Sequence, residues 1–136
     1  MNRLSGQIAA VETAGSIAIV DVDALGLRLT ATLIGATLDV SHWTGGMPVT
    51  LLFAETEVAL AKNLSGLISM RNRIGATVTA IERGSILCRI VLQADGAQIV
   101  SVITTRASHA LSLACGDRVE ALIKANAMHV VANVRP

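Results

Sequence analysis

Aromatic side chains are almost absent from this chain of 136 residues: they make up 1% of it, as Trp43 and Phe53, with no tyrosine. A core without rings must be filled by Ala, Val, Ile and Leu, as in small barrels and sandwiches. The same scarcity, with a formal charge of +1, argues against direct nucleic-acid binding, which needs aromatic stacking platforms and a basic groove. Charge is scarce too. Charged residues are 15% and hydrophobic residues 52%, which excludes a disordered chain and any strong field toward an anionic membrane. Mean hydropathy is +0.61, yet no apolar run approaches the roughly 18 residues that span a bilayer, so no membrane insertion is expected. The opening "MNRLSGQIAAVE" meets Ser, Gly, Gln and Glu too early for a secretory signal, and a cytoplasmic location is expected. Cys88 and Cys115 stand 115 − 88 = 27 positions apart with no Cys-x-x-Cys and no His at ligand spacing. They read as free thiols in a reducing compartment, with no metal site. Enzyme chemistry finds no support either. His42, His109 and His129 have no nucleophile or carboxylate at a telling spacing, and Gly84, Gly96 and Gly116 belong to turns rather than a phosphate loop.

What is present is a unit written twice. "RLSGQIAAVETAGSI" begins at Arg3 and "RIGATVTAIERGSI" at Arg73, an offset of 73 − 3 = 70. One inserted residue makes the offset 69 at the shared Gly-Ser-Ile, and it returns to 70 downstream, where Gly46 lies over Gly116 and Phe53 over Ile123. The repeat predicts two modules, 1–62 and 63–136, joined at "KNLSGLIS".

Within each module the apolar period is mostly two, which predicts strands. "GQIAAVE" and "GATVTAIE" alternate, followed by "SIAIVDVD" and "SILCRIVLQ". The turns "DALG" and "ADG" lead into "LRLTATLI" and "AQIVSVIT". "ASHALSL", Ala107 to Leu113, suits a short helix, and "RVEALIKA" with "AMHVVANV" closes the module. Five short strands with a helix between the third and fourth predict an all-β chain of two tandem, OB-fold-like, five-stranded Greek-key barrels. Modules this small bury little surface alone, so tandem pairing or oligomerisation is expected.

At mid-chain "GLISMRNRIG" presents Ser69, Arg71, Asn72 and Arg73 with no carboxylate among them. Thr104 and Ser108 follow the third strand of the same module, and Lys124, Ala125 and Asn126 fall in its last turn, "IKAN". All three clusters sit at strand ends, where a barrel rim collects loops. Together they offer hydroxyls, an amide, a guanidinium, an ammonium and backbone N–H groups. That inventory suits a small, fully deprotonated oxyanion, and it disfavours a partly protonated phosphate, which needs an acceptor. Each residue alone has an ordinary explanation. Ser69 and Asn72 form turns, Arg71 is solvated surface, Thr104 favours strands, and Lys124 could pair with Glu120.

The run "ISMRNRIGATVTAIERGSILCRIVLQADG…VSVITTRASHALSLACGDRVEALIKA" resembles a Mop domain of the molbindin (TOBE) family, through Ser-x-Arg-Asn, "V…I..G" and "A.IT..S...L.L..G..V.A.IKA". Two such modules in one chain are similar to di-Mop molbindins and to the molybdate-sensing regions of transcription regulators and importer ATPases. The resemblance implies OB-like barrels and molybdate or tungstate as the ligand, without an organic cofactor. It also implies a homo-oligomer, a trimer as in free molbindins before a dimer as in the regulators, with sites shared between modules or chains. The implied function is molybdenum storage, homeostasis or sensing. The alternative is an oligomerisation or regulatory module of a longer regulator or importer ATPase, with weak or lost anion binding. Carried over residue by residue, Ser69, Arg71, Thr104, Lys124 and the backbone N–H of Ala125 are the implied contacts, while Asn72 holds the loop; Ser108 and Asn126 complete the candidate set. At offset 70 the first module has Met1, Ile34, Ala54 and Glu55 in place of Arg71, Thr104, Lys124 and Ala125. Its own copy of the site is therefore expected to be dead or altered.

Overall fold

A computed structural model describes residues 1–35 and 40–133. Ten strands form: β1 (Asn2–Ala14), β2 (Ile17–Ala24), β3 (Leu27–Ile34), β4 (Pro48–Phe53), β5 (Ala59–Ala61), β6 (Asn72–Arg83), β7 (Leu87–Ala94), β8 (Ala97–Thr104), β9 (Arg118–Ile123) and β10 (His129–Ala132). A helix, α1 (Thr105–Ala110), follows β8, and single 3₁₀ turns at Glu55–Glu57 and Ala125–Ala127 follow β4 and β9. The helix begins two residues earlier than the apolar spacing indicates, because the Thr104 hydroxyl accepts the Ala107 N–H and caps it. Its expected counterpart in the first module, 35–40 at offset 70, falls mostly on 36–39, outside the described residues.

The period of two is realised as burial. Along β2 and β7 every second residue is buried, as Ala18, Val20, Val22 and Ala24 and as Cys88, Ile90, Leu92 and Ala94. The repeat reaches into backbone detail. Both long strands carry a β-bulge at the same place, between Ile8 and Ala10 in β1 and between Val78 and Ala80 in β6. Both following hairpins turn on two residues of positive φ, Leu25-Gly26 at 55° and 71° and Asp95-Gly96 at 43° and 83°. That pattern is the primed turn whose twist matches the strands it joins.

All strand pairs are antiparallel, in two five-stranded sheets ordered β10-β4-β1-β2-β3 and β5-β9-β6-β7-β8. The fifth strands are exchanged. β10, from the second half, pairs with β4 through His129↔Leu52 to Ala132↔Val49, and β5, from the first half, pairs with β9. The sequence order that makes "AMHVVANV" close its own module is thus not the order in space. The aliphatic core is continuous across both halves, with Phe53, Leu51, Ile74, Ile90, Ile99, Ile123 and Met128 fully enclosed.

Two buried asparagines, related by the repeat, fasten one half to the other. The Asn72 amide donates to Thr30 C=O at 2.8 Å and accepts from Thr30 N–H at 2.7 Å. The Asn2 amide does the same to Val100, both at 2.8 Å. Thr30 lies on β3 and Val100 on β8, the outer strands of their sheets. An asparagine amide can present an N–H donor and a C=O acceptor side by side, so it satisfies an edge strand as a further strand would.

Candidate functional site

The register of the second sheet brings the two main clusters together. Asn72, first residue of β6, pairs with Ile123, last residue of β9. Arg71 therefore enters, and Lys124 leaves, at the same end of adjacent antiparallel strands. Anchors on both sides hold this end: Asn72 is fully buried, as are Ile123 and Met128. Between them Lys124 has an extended backbone, φ −65° and ψ 145°, and heads the 3₁₀ turn with no side-chain cap. The turn is closed by Ala127 N–H on Lys124 C=O at 2.9 Å and Met128 N–H on Ala125 C=O at 3.3 Å. The N–H groups of Ala125 and Asn126 lie outside these two bonds.

A cavity of about 310 Å³ results, lined by Thr32, Ser69, Met70, Arg71, Lys124, Ala125 and Asn126. Five of the eight candidate residues meet in it: Ser69, Arg71, Lys124, Ala125 and Asn126. Its seventh member, Thr32, comes from the first half of the chain and was not a candidate. In the sequence it is one more threonine in the alternation of "LRLTATLI", and only the packing of β3 against the second half distinguishes it.

The other three candidates have different tasks. Asn72 is not a wall of the cavity; its amide is spent on Thr30. Ser108 is buried in α1, where its hydroxyl donates to Thr105 C=O at 2.7 Å and accepts from Arg83 Nε at 3.1 Å. The Thr104 hydroxyl caps α1. Thr104 lines two other spaces, one of about 380 Å³ that also includes Lys124, and one of about 280 Å³ with Ser85, Ile86 and Arg106.

Charge pairing explains what is left over. Arg73, counted among the unanswered donors, is answered: Glu120 accepts from its Nε and Nη2, both at 2.8 Å. The forked ion pair holds the Glu120 carboxyl below its usual range, chiefly through the hydrogen bond, and raises the Arg73 guanidinium. Glu120 is thus unavailable to Lys124. Lys62 likewise engages Asp117 at 2.9 Å, and Arg28 engages Asp23 at 2.7 Å. Asp21 accepts the Thr30 hydroxyl at 2.8 Å. Among the described residues, neither Arg71 nor Lys124 has an ion-pair partner. No carboxylate lines their shared cavity; Glu57, on the first module's 3₁₀ turn, lines two neighbouring spaces that Lys124 also borders. No cluster of three or more His, Cys, Asp or Glu able to hold a metal ion occurs among the described residues.

The first module repeats the scaffold without the chemistry. Glu57 N–H bonds Ala54 C=O at 3.0 Å and Val58 N–H bonds Glu55 C=O at 3.4 Å, the same turn as after β9. Where the second module has Arg71, Lys124 and Ala125, this end has Met1, Ala54 and Glu55. The Glu55 carboxylate there lies 3.8 Å from the Met1 amine.

Residues 68–130 match the model of the TOBE domain. The structure superposes on that of the cytoplasmic molybdate-binding protein ModG, in a form with molybdate bound, with a TM-score of 0.90 and 27% identity, covering 97% of this chain and 96% of that one. The second half of the chain is a TOBE domain, the family that its sequence resembles. The chain as a whole has the two-module fold of ModG. Among curated relatives, the molybdenum transport protein ModE of Herbaspirillum seropedicae is 31% identical over 129 residues, 86% of this chain and 48% of that protein. The molybdenum import ATP-binding protein ModC of Brucella abortus (strain 2308) is 36% identical over 80 residues, 58% of this chain and 22% of that protein. The chain therefore spans about half the length of the first relative and about a fifth of the second. Among the described residues no helix is long and apolar enough to cross a membrane.

Proposed function

We propose that this chain is a non-enzymatic binder of molybdate, or of the like dianion tungstate, acting in the cytoplasm in molybdenum storage, homeostasis or sensing. The observation that carries this reading is the pairing of Arg71 and Lys124, both without a carboxylate partner, on one cavity walled by further donors. A desolvated dianion needs cations and N–H or O–H donors on every side, and an unpaired carboxylate would repel it. Ser69 supplies a hydroxyl, Asn126 an amide, and the head of the 3₁₀ turn its backbone N–H groups. Hydrogen phosphate, with a proton to donate, finds no carboxylate acceptor in that wall.

Thr104 joins the site from a second copy of the chain. It pairs with Leu87 at the end of β8, and Ile86 beside it is 75% exposed, Leu87 55%. The repeat-related end carries the pair Ile17↔Ile34, at 45% and 77% exposure. These apolar ends are where copies meet, most simply as a trimer, and a dianion held between copies would stabilise their association by mass action. A second reading, a regulatory or assembly module of a longer protein, is favoured by the fraction of ModE and ModC that the chain spans.

Calorimetric titration of the chain with molybdate, sulfate and phosphate tests the anion reading. Selective molybdate binding that Lys124→Ala weakens more than tenfold is the expected result, a charged hydrogen bond contributing about 1.5–3 kcal/mol. Equal or absent binding of all three anions overturns it. Light scattering with and without molybdate reports the coupling to assembly.

A further inference from the structure

The geometry points to Thr32 as a further contact to the bound oxyanion, so that the first module, despite its own lost site, contributes to the site of the second. This inference rests on the anion reading above and adds a residue to it. Thr32 is half-buried on β3, and its side chain lines the same cavity as Ser69, Arg71, Lys124, Ala125 and Asn126.

Three observations carry it. The first is the state of the hydroxyl. The hydroxyls of Thr30, Thr50, Thr79 and Thr105 all donate, to Asp21, Asn133, Val91 C=O and Gly84 C=O. The Thr32 hydroxyl has no hydrogen-bond partner among the described residues, although the residue is half-buried and shares its cavity with two cations. A half-buried hydroxyl on a cavity with two cations and no carboxylate is available to donate to an anion bound there.

The second is how the strand is held. The Asn72 amide is bonded to both backbone groups of Thr30. Arg71 immediately precedes Asn72, and Thr32 lies two residues beyond Thr30, on the same face of β3. One buried clamp thus fixes the backbones from which the guanidinium and the hydroxyl extend, across the boundary between the halves.

The third is the repeat. The counterpart of Thr32 at offset 102 − 32 = 70 is Val102, which cannot donate. Val102 lines the space of about 380 Å³ that includes Glu57 of the first module's 3₁₀ turn and the far side of Lys124, and it does not reach the cavity of Arg71. The hydroxyl is thus present on the strand that borders the cavity shared by Arg71 and Lys124 and absent from its counterpart.

The test uses Thr32→Val, which keeps the shape and the β-branched backbone preference and deletes only the hydroxyl, and Thr32→Ser, which keeps the hydroxyl. Both are titrated with molybdate beside wild type and Lys124→Ala, with unfolding midpoints measured in parallel. The inference expects Thr32→Val to weaken molybdate binding about tenfold or more at an unchanged midpoint, and Thr32→Ser to stay within about threefold of wild type. Thr32→Val within about twofold of wild type, while Lys124→Ala loses binding, overturns the role of Thr32 and leaves the anion site standing. Equal loss in the Val and Ser variants also overturns it, since packing and not the hydroxyl would then be responsible. Wild-type affinity in Lys124→Ala overturns the anion reading itself, and this inference with it.

Discussion

Replacing Asn72 by alanine is the most direct test of how the two halves are joined. The side chain is fully enclosed, and its amide makes two good bonds, at 2.7 and 2.8 Å, to the N–H and C=O of one residue on an outer strand. Removing the amide loses two net contributions of about 0.5–1.5 kcal/mol each. It also strands two backbone groups, and each would cost about 1–3 kcal/mol were it sealed from water. Thr30 is only half-buried, so water recovers part of that second cost, and a loss of about 2–4 kcal/mol is expected. Against a typical total of about 5–15 kcal/mol this is a large fraction. Urea unfolding followed by far-UV circular dichroism would register it as a lower midpoint. The repeat supplies an internal control. Asn2→Ala breaks the equivalent clamp on Val100 and should cost a similar amount, and the two losses should nearly add because the clamps share no residue. Asn72→Asp sharpens the test by placing an oxygen where the amide nitrogen faced the Thr30 carbonyl. At neutral pH it should be worse than alanine. A carboxyl buried against the Thr30 carbonyl has its pKa raised in the folded state, so that state binds the proton more readily. The aspartate variant should therefore regain stability between pH 7 and 5, opposite to the usual acid loss. A midpoint shift in Asn72→Ala worth less than about 0.5 kcal/mol would refute the account of the asparagines as edge clamps.

Gly6→Ala should destabilise by about 1–3 kcal/mol, because the added methyl would meet Val22 Cγ1 at 2.6 Å and the Asp23 carbonyl oxygen at 2.7 Å. Gly75→Ala should be nearly neutral, since its methyl meets only the movable end of Arg118, at 3.3 Å; thermal midpoints of the two variants separate these outcomes. The wild-type chain should lose stability in acid. The Glu120 and Asp117 carboxyls are both held below their ordinary range, by Arg73 and by Lys62 respectively. A depressed carboxyl pKa contributes stability that is complete above the unfolded value and fades as pH falls through the folded one, so the decline belongs below about pH 4. Glu120→Gln and Asp117→Asn together should flatten that decline in a pH series of unfolding midpoints.

The fold was largely legible because its signals are local. Alternation in "SIAIVDVD" is burial written in letters, and the offset of 70 fixed matching strands, hairpins and turns in both halves. The exchange of β5 and β10 was not legible. A strand of three or four residues carries no mark of which sheet it joins, and "AMHVVANV" reads equally well in either. Of the site, the residues flanking β6 and β9 were legible because both clusters adjoin strands that pair. Asn72 and Ser108 show the limit of reading donors by type. Each has the right chemistry, but Asn72 spends it on an edge strand and Ser108 on a helix turn, and only the fold reveals a polar group already satisfied. Glu120 shows the same limit with the opposite sign: it stands four residues from Lys124 in sequence, yet it answers Arg73 on the neighbouring strand.

The lost chemistry of the first module and its intact scaffold follow from one fact, that neither half is complete alone. Cutting the chain near residue 62 would take from the second sheet its strand β5, from Asn72 its partner Thr30, and from the buried Ser101 hydroxyl its acceptor, the Val58 carbonyl at 2.7 Å. It would likewise strip β10 from the first sheet and Val100 from Asn2. The first half must therefore keep its core, its bulge, its asparagine and its 3₁₀ turn in order to hold up the second, whether or not it binds anything itself. Positions that serve only a ligand carry no such burden. Met1, Ile34, Ala54 and Glu55 can differ from Arg71, Thr104, Lys124 and Ala125 without disturbing either sheet, because all four stand at strand ends or turns outside the core. Asymmetry of chemistry on a symmetric frame is what a two-module chain permits, and the first half still places Thr32 on the cavity shared by Arg71 and Lys124.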